Sequence, residues 1–198
     1  MIQFKNLNQE IPYLLFKEKY DEALNAGQKS IEAIAVSSFN QVKQEVDSRY
    51  VNLKFIDNDE FIFFSNYNSP KSIAFNSHNQ ISVILHWAST NVQIRIKAKI
   101  QKTSPVFNKK YFFERSPQKN ALAISSNQSE QIDSYDGVLK KYNKSLEFDN
   151  LKECPGFWGG YSFIPFYFEF WAGHSLRLNK RDVYIKNGKN WDHSILQP

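Results

Sequence analysis

Apolar and polar positions alternate most regularly in Val92–Lys102, VQIRIKAKIQK, where Val92, Ile94, Ile96, Ala98 and Ile100 interleave with Gln93, Arg95, Lys97, Lys99 and Gln101. A period of two predicts a strand with one face on a core and the other polar. Gln80–Ala88 precedes it as a second strand, and the two read as a hairpin pair. Arg49–Ile56 and Glu60–Asn66 are β-rich runs separated by Asp57-Asn58-Asp59, which predicts another antiparallel hairpin. Ile31–Ser38 is a short strand candidate, followed by a polar connector over Phe39–Ser48. The most aromatic alternation lies in Phe157–Arg181, FWGGYSFIPFYFEFWAGHSLRLNKR. Gly159-Gly160 permits a turn at its start. One face then collects Ile164, Phe166, Phe168 and Phe170, and the other Tyr161, Phe163, Tyr167, Glu169 and Trp171. The second face is too apolar to stay wet and too polar for an interior, so something is expected to cover it. Asn187-Gly188, flanked by Asp182–Lys186 and Asn190–Leu196, predicts a closing hairpin.

Helical spacing is sparser. Residues 10–26 carry Leu14, Leu15, Tyr20, Ala23 and Leu24 on one stripe, with Pro12 near the start and Gly27 past the end. Ser69-Pro70 and Ser104-Pro105 each open a short helix, the latter running to about Arg115. Ile132, Tyr135, Leu139 and Tyr142 form a third helical run, with Ser129 as a possible cap ahead of it. Some eight strands with tight turns and a few peripheral helices predict a mainly β fold, a closed or split antiparallel barrel. No repeat or interdomain linker is visible. The expected organisation is one domain over 1–198, with a helix at about 10–26 and the barrel at about 31–198.

Composition narrows the class. The chain has 198 residues, 41% hydrophobic and 16% aromatic, enough for one ring-packed core. Its formal charge is +5, but Lys109-Lys110, Lys140-Lys141 and Lys180-Arg181 are only pairs; a small anionic ligand fits this scatter better than nucleic acid. A single cysteine, Cys154, excludes an internal disulfide framework and disfavours a cysteine metal cluster. No run approaches the roughly 18 apolar residues of a membrane span, and the N-terminus lacks a signal-peptide pattern, so a cytoplasmic protein is expected.

Several residues suggest chemistry. Lys71 falls in the first turn of the helix opened by Ser69-Pro70, where it opposes the helix dipole and has no stabilising reason to be; free amides and an ammonium there suit a phosphate. Tyr111 and Arg115, one helical turn apart, either grip one phosphate or pack on each other. Arg49 and Lys54 are five apart, on opposite faces of a regular strand, so they share a site only through a bulge or through different parts of a ligand. Arg177 and Arg181 arrive just beyond Trp171, and aromatic area beside cationic forks suits a flat phosphorylated ligand. His86 has no second histidine at metal spacing and reads as packing.

Trp158-Gly159-Gly160-Tyr161, then Glu169-Phe170-Trp171 and Gly173, then Arg177-Leu178 and Arg181, resemble the C-terminal signature of the pyridoxamine 5'-phosphate oxidase family. The resemblance spans about residues 12–198. It implies an FMN-binding split β-barrel and a homodimer with flavin at the subunit interface. By position it assigns flavin contacts to Arg49, Lys54, Ser65, Lys71, Gln93, Gln128, Ser129, Trp171 and Arg181. Substrate contacts fall to Lys54, Tyr111, Arg115, Lys119 and Arg177, and Arg177 and Asn179 take the catalytic positions. Four places depart from the family pattern: Pro70 and Val92 stand where arginines are usual, Lys119 replaces a serine and Asn179 a histidine. The arginine- and tyrosine-rich segment before the first helix of longer members is largely absent.

The implied activity is FMN-dependent oxidation of pyridoxamine or pyridoxine 5'-phosphate to pyridoxal 5'-phosphate, with dioxygen as electron acceptor. Asn179 cannot titrate, so slow turnover is expected. The substitutions leave two alternatives: a same-fold oxidase of another substrate, such as a dihydrophenazine, or a flavin- or pyridoxal phosphate-binding protein without turnover.

Overall fold

The computed structural model describes residues 1–198. Its elements, in chain order, are β1 (Gln3–Lys5), α1 (Ile11–Asn25), β2 (Ala33–Asn40), β3 (Glu45–Asp57), β4 (Glu60–Asn66), α2 (Pro70–Ser77), β5 (Gln80–Trp87), β6 (Val92–Lys102), α3 (Pro105–Glu114), α4 (Pro117–Ser125), α5 (Tyr135–Phe148), β7 (Trp158–Ala172), β8 (Lys180–Asn187) and β9 (Asn190–Ile195). The strands join one sheet. Its path β3-β2-β5-β6-β7 closes through β4, which pairs with both β7 and β3, giving a six-stranded antiparallel barrel. β8 and β9 extend it beyond β7, and β1 adds a parallel strand against β3.

Alternation builds the core as the pattern requires. Ile94, Ile96, Ala98 and Ile100 of β6 are buried beside Ile81, Val83, Leu85 and Trp87 of β5. On α1 the buried face is Tyr13, Phe16, Tyr20 and Ala23, whereas Leu14 and Leu24 are exposed. The helix is therefore turned from the leucine stripe expected of it, because its aromatic rings find ring partners: Phe16 meets Phe61 and Trp87 edge-on, and Tyr13 meets Phe168.

Two bulges decide which side chains face where. Between β3 and β4, Leu53 pairs with Phe63 and Phe55 with Ile62, so Lys54 is the extra residue. Between β6 and β7, Lys97 pairs with Tyr167 and Ala98 with Pro165, leaving Phe166 over. The β7 bulge overturns the single inward face expected of this strand. Tyr161 and Phe163 point to the core before it and Phe168 and Phe170 after it, while Ile164 is exposed. Pro165 has no N–H to give a ladder, and the phase changes beside it.

Other local expectations change too. Gly159 and Gly160 are not a turn but paired strand residues opposite Ser65 and Phe64. They are glycines because a Cβ would stand 2.2 Å from the Tyr67 hydroxyl at Gly159 and 2.5 Å from Thr103 Oγ1 at Gly160. The polar connector 39–48 is mostly strand, its turn confined to 41–44 between β2 and β3. The helix after Gln128 is capped by Ser134, which accepts from the Gly137 N–H; Ser129 lies five residues earlier at φ +71. Ser116-Pro117 starts α4, a helix absent from the expected elements although it repeats the Ser-Pro opening of α2 and α3.

Candidate functional site

A cavity of about 1030 Å³ opens between the β3–β4 wall of the barrel and helices α2–α4. Its walls hold five cations, Arg49, Lys54, Lys71, Arg115 and Lys119, against three carboxylates, Glu32, Asp47 and Glu114. Ser65, Tyr111, Gln128 and Ser129 also line it. The β3 bulge explains how Arg49 and Lys54 both arrive, since Lys54 is itself the inserted residue.

At the α2 end, Lys71 is only 6% exposed, and its Nζ donates to Ser65 Oγ and Ser69 Oγ, each at 3.0 Å. Burial pushes this ammonium down to about 8, helped by the nearby Arg49 charge and opposed by Asp47. Ser69 occupies the N-cap position without capping: its hydroxyl donates to the Asn66 carbonyl, so the first-turn amides of α2 receive no side-chain cap from it. Ser65 Oγ donates in turn to Gln128 Oε1 at 3.4 Å. Arg49 is fixed by Val36 O at 3.2 Å and Ser38 Oγ at 2.8 Å, and it pairs with Asp47.

At the α3 end, three rings form a parallel stack: Trp158 on Phe64 at 5.1 Å, and Phe64 on Tyr111 at 4.0 Å. The Arg115 guanidinium lies over Trp158, 4.4 Å from its centroid. Its Nη2 donates to the Lys119 carbonyl at 3.3 Å, while its Nη1 is buried with no partner. Burial lowers the Lys54 ammonium below its ordinary value; the Lys119 and Arg115 charges push the same way, and Glu32 opposes them. Three cations without a carboxylate partner, one carrying an orphan N–H, suit a phosphate.

Gln93, Trp171, Arg177, Asn179 and Arg181 are not brought into this cavity. Gln93 pairs across the ladder with Trp171, and Trp171 with Arg181, on β6, β7 and β8. The 173–179 loop begins at Gly173, where a Cβ would meet the Asn91 side chain at 2.1 Å. Asn179 Oδ1 accepts from the His174 N–H at 3.0 Å, and Arg177 adopts φ +60 in the exposed turn between them. Site-wall residues that the spacing did not indicate are Glu32, Asn66, Ser126 and Trp158. Of these Trp158 had a signal in the chain, as the head of the Trp158-Gly159-Gly160-Tyr161 signature, and Asn66 is its partner across β4 and β7.

The fold is the FMN-binding split β-barrel. A PhzG structure from Burkholderia lata, in complex with tetrahydrophenazine-1-carboxylic acid, superposes with a TM-score of 0.89 at 27% identity, covering 94% of this chain and 92% of that one. A pyridoxamine 5'-phosphate oxidase-related, FMN binding protein from Nostoc punctiforme shares the fold at a TM-score of 0.76 and 11% identity, over 92% of this chain and 97% of that one. Residues 158–198 match the family described as the pyridoxine 5'-phosphate oxidase C-terminal dimerisation region. A pyridoxine/pyridoxamine 5'-phosphate oxidase from Colwellia psychrerythraea is 34% identical over 94% of this chain and 87% of its own length. Pyridoxine/pyridoxamine 5'-phosphate oxidase 1 from Hydrogenovibrio crunogenus is 32% identical over 96% and 89%. The chain belongs to the pyridoxine/pyridoxamine 5'-phosphate oxidase family, whose members are flavoprotein oxidoreductases, and it is an enzyme of that kind. No helix is long and apolar enough to cross a membrane.

Proposed function

We propose that this protein is an FMN-dependent oxidase that converts pyridoxamine or pyridoxine 5'-phosphate to pyridoxal 5'-phosphate and works as a homodimer with flavin at the subunit interface. The observation that carries the reading is the cavity itself, where two separate cation groups face one aromatic-walled space in a chain of this family. Its donors fit a cofactor phosphate at one end and a substrate phosphate at the other. Lys71, Arg49, Ser65, Gln128 and Ser129, with the amides opening α2, hold the flavin's phosphate and polar edge. Lys54, Tyr111, Arg115 and Lys119 hold the substrate phosphate, Tyr111 and Arg115 being pre-set by the ring stack. Gln93, Trp171, Arg177, Asn179 and Arg181 lie outside that cavity, and a second copy supplies the same set to it, which is the physical reason for a dimer.

When bound, the flavin would supply acceptance of a hydride from the substrate's C4' carbon, with dioxygen as final electron acceptor and peroxide as product, and for the amine substrate water then hydrolyses the resulting imine and releases ammonia. Arg177 orients the pyridine ring, and Asn179 offers a neutral hydrogen-bonding group that holds no exchangeable charge. The second reading, a same-fold oxidase of a dihydrophenazine-type substrate, draws support from the likeness to PhzG and from Asn179, whose carbonyl is engaged by the His174 N–H.

Oxygen uptake by the FMN-loaded protein separates them. The oxidase reading expects uptake with pyridoxamine 5'-phosphate and at least about a hundredfold less with unphosphorylated pyridoxamine, the loss of two or more charge-assisted contacts. Equal rates with and without the phosphate, or uptake only with a dihydrophenazine, would reject it.

A further inference from the structure

Outside the cavity, one carboxylate is buried more deeply than any other charged group. Glu169 on β7 is 2% exposed. A carboxylate withdrawn from water is costly unless its oxygens are fully engaged, and here they are. Oε1 accepts from Arg181 Nε at 2.9 Å and lies 2.8 Å from Arg181 Nη2. Oε2 accepts from Arg95 Nη1 at 2.9 Å and from the Tyr167 hydroxyl at 2.8 Å. Burial alone would raise this carboxyl, yet the bonds from Tyr167 and Arg181 and the charges of Arg95 and Arg181 hold it below the usual range.

The arrangement has a direction. Arg95 is the cross-strand partner of Glu169 on β6, and Arg181 is the partner of Trp171 on β8. One carboxylate thus takes the Nε–Nη2 edge of Arg181 and fixes the plane of the guanidinium. The remaining nitrogen, Nη1, meets only the main-chain carbonyl of exposed Gln197, at 2.9 Å. A stabilising ion pair needs one arginine; a hub that spends two arginines and a phenol on one carboxylate fixes where the unused edge points.

We infer that Glu169 is a positioning residue for the flavin site: by fixing the Nε–Nη2 edge of Arg181 it presents the opposite, Nη1 edge toward the cofactor, a ligand acceptor replacing the Gln197 carbonyl. The inference rests on the reading in which Arg181 contacts the flavin. Without the carboxylate, the Arg181 side chain is free to rotate and binds the cofactor only after paying rotamer entropy.

The test is a double-mutant cycle on FMN affinity, read from quenching of flavin fluorescence on titration of cofactor-free protein. Glu169→Gln keeps the side-chain shape and removes the charge; it is expected to weaken FMN binding about tenfold, as Arg181→Ala does, while the double variant binds no worse than Arg181→Ala alone. If Glu169→Gln weakens FMN equally with and without Arg181, its role is general structure and the inference fails. If Arg181→Ala weakens FMN and Glu169→Gln does not, the inference fails while the flavin reading stands. If Arg181→Ala leaves FMN affinity unchanged, the assignment of Arg181 fails and the inference with it. Should Glu169→Gln not fold, Glu169→Asp gives the same comparison, since it keeps the charge and withdraws it from Arg181 by one methylene.

Discussion

Lys71 and Lys119 show what single residues do in this cavity. Lys71 is a buried ammonium supported by two hydroxyls and no carboxylate, and burial holds it at about 8, against an ordinary value of 10.5. In the ligand-free protein it is charged in both folded and unfolded states below pH 8. Between pH 8 and 10.5 the unfolded chain holds more protons, so the Lys71 contribution to stability rises with pH across that window. A bound phosphate favours the charged form, so FMN affinity should fall as pH climbs past 8, and Lys71→Met should bind FMN weakly with no such step. Titrations at pH values on either side check both. Lys119 lines the same cavity as Lys54 and Arg115, whose buried Nη1 has no partner. Lys119→Ser should raise KM for a phosphorylated substrate about tenfold with kcat little changed, the mark of a contact made equally in ground and transition states. A change confined to kcat would place Lys119 elsewhere in the mechanism. These residues were legible one at a time: an ammonium against the helix dipole at Lys71, and a phenol and guanidinium one turn apart at Tyr111 and Arg115. Their convergence was not, because it depends on a bulge at Lys54 that alternation alone does not announce.

Elements follow the same division. The β6 alternation and the β3–β4 hairpin could be read directly, since period and turn chemistry act locally, although the turn itself is Asn58-Asp59, with Asp57 already paired to Glu60. The inward face of β7 could not, because the register shift at Phe166 is set by pairing with β6 and by Pro165. Nor could the face of α1, where ring partners contributed by β4, β5 and β7 outweigh the leucines. The caps offer a clean check. Ser134 accepts from the Gly137 N–H, so Ser134→Ala should cost about 1 kcal/mol of unfolding free energy in urea, while Ser129→Ala should cost less than about 0.5 and act on FMN affinity instead. Reversal of the two effects would return the cap to Ser129. At Gly159 the Tyr67 hydroxyl and Asn108 amide crowd the Cβ position at 2.2 and 2.5 Å. Gly159→Ala should therefore destabilise the protein by about 1–3 kcal/mol, visible as a lower midpoint of denaturation.

For the whole molecule, the two residue groups named by the family pattern lie on different parts of one chain, with Arg49, Lys71 and Arg115 in the cavity and Trp171 and Arg181 outside it. In the proposed homodimer a second copy would bring the two groups together, and one exposed row of the sheet is a place to test it. The row Tyr50, Ala35, Ile84 and Arg95 runs across β3, β2, β5 and β6, with Tyr50 and Ile84 exposed. Ile84→Glu on that face should shift the protein from dimer to monomer in sedimentation and weaken FMN binding in the same step. A monomeric variant that keeps full FMN affinity would show that one chain holds the flavin alone.

The most direct test is the absorbance spectrum of the FMN-loaded protein, recorded without oxygen before and after addition of pyridoxamine 5'-phosphate. Oxidation of this substrate should bleach the flavin band on addition and let it return when air is admitted, despite Asn179 and Lys119. A bound flavin that stays oxidised with this substrate would contradict it.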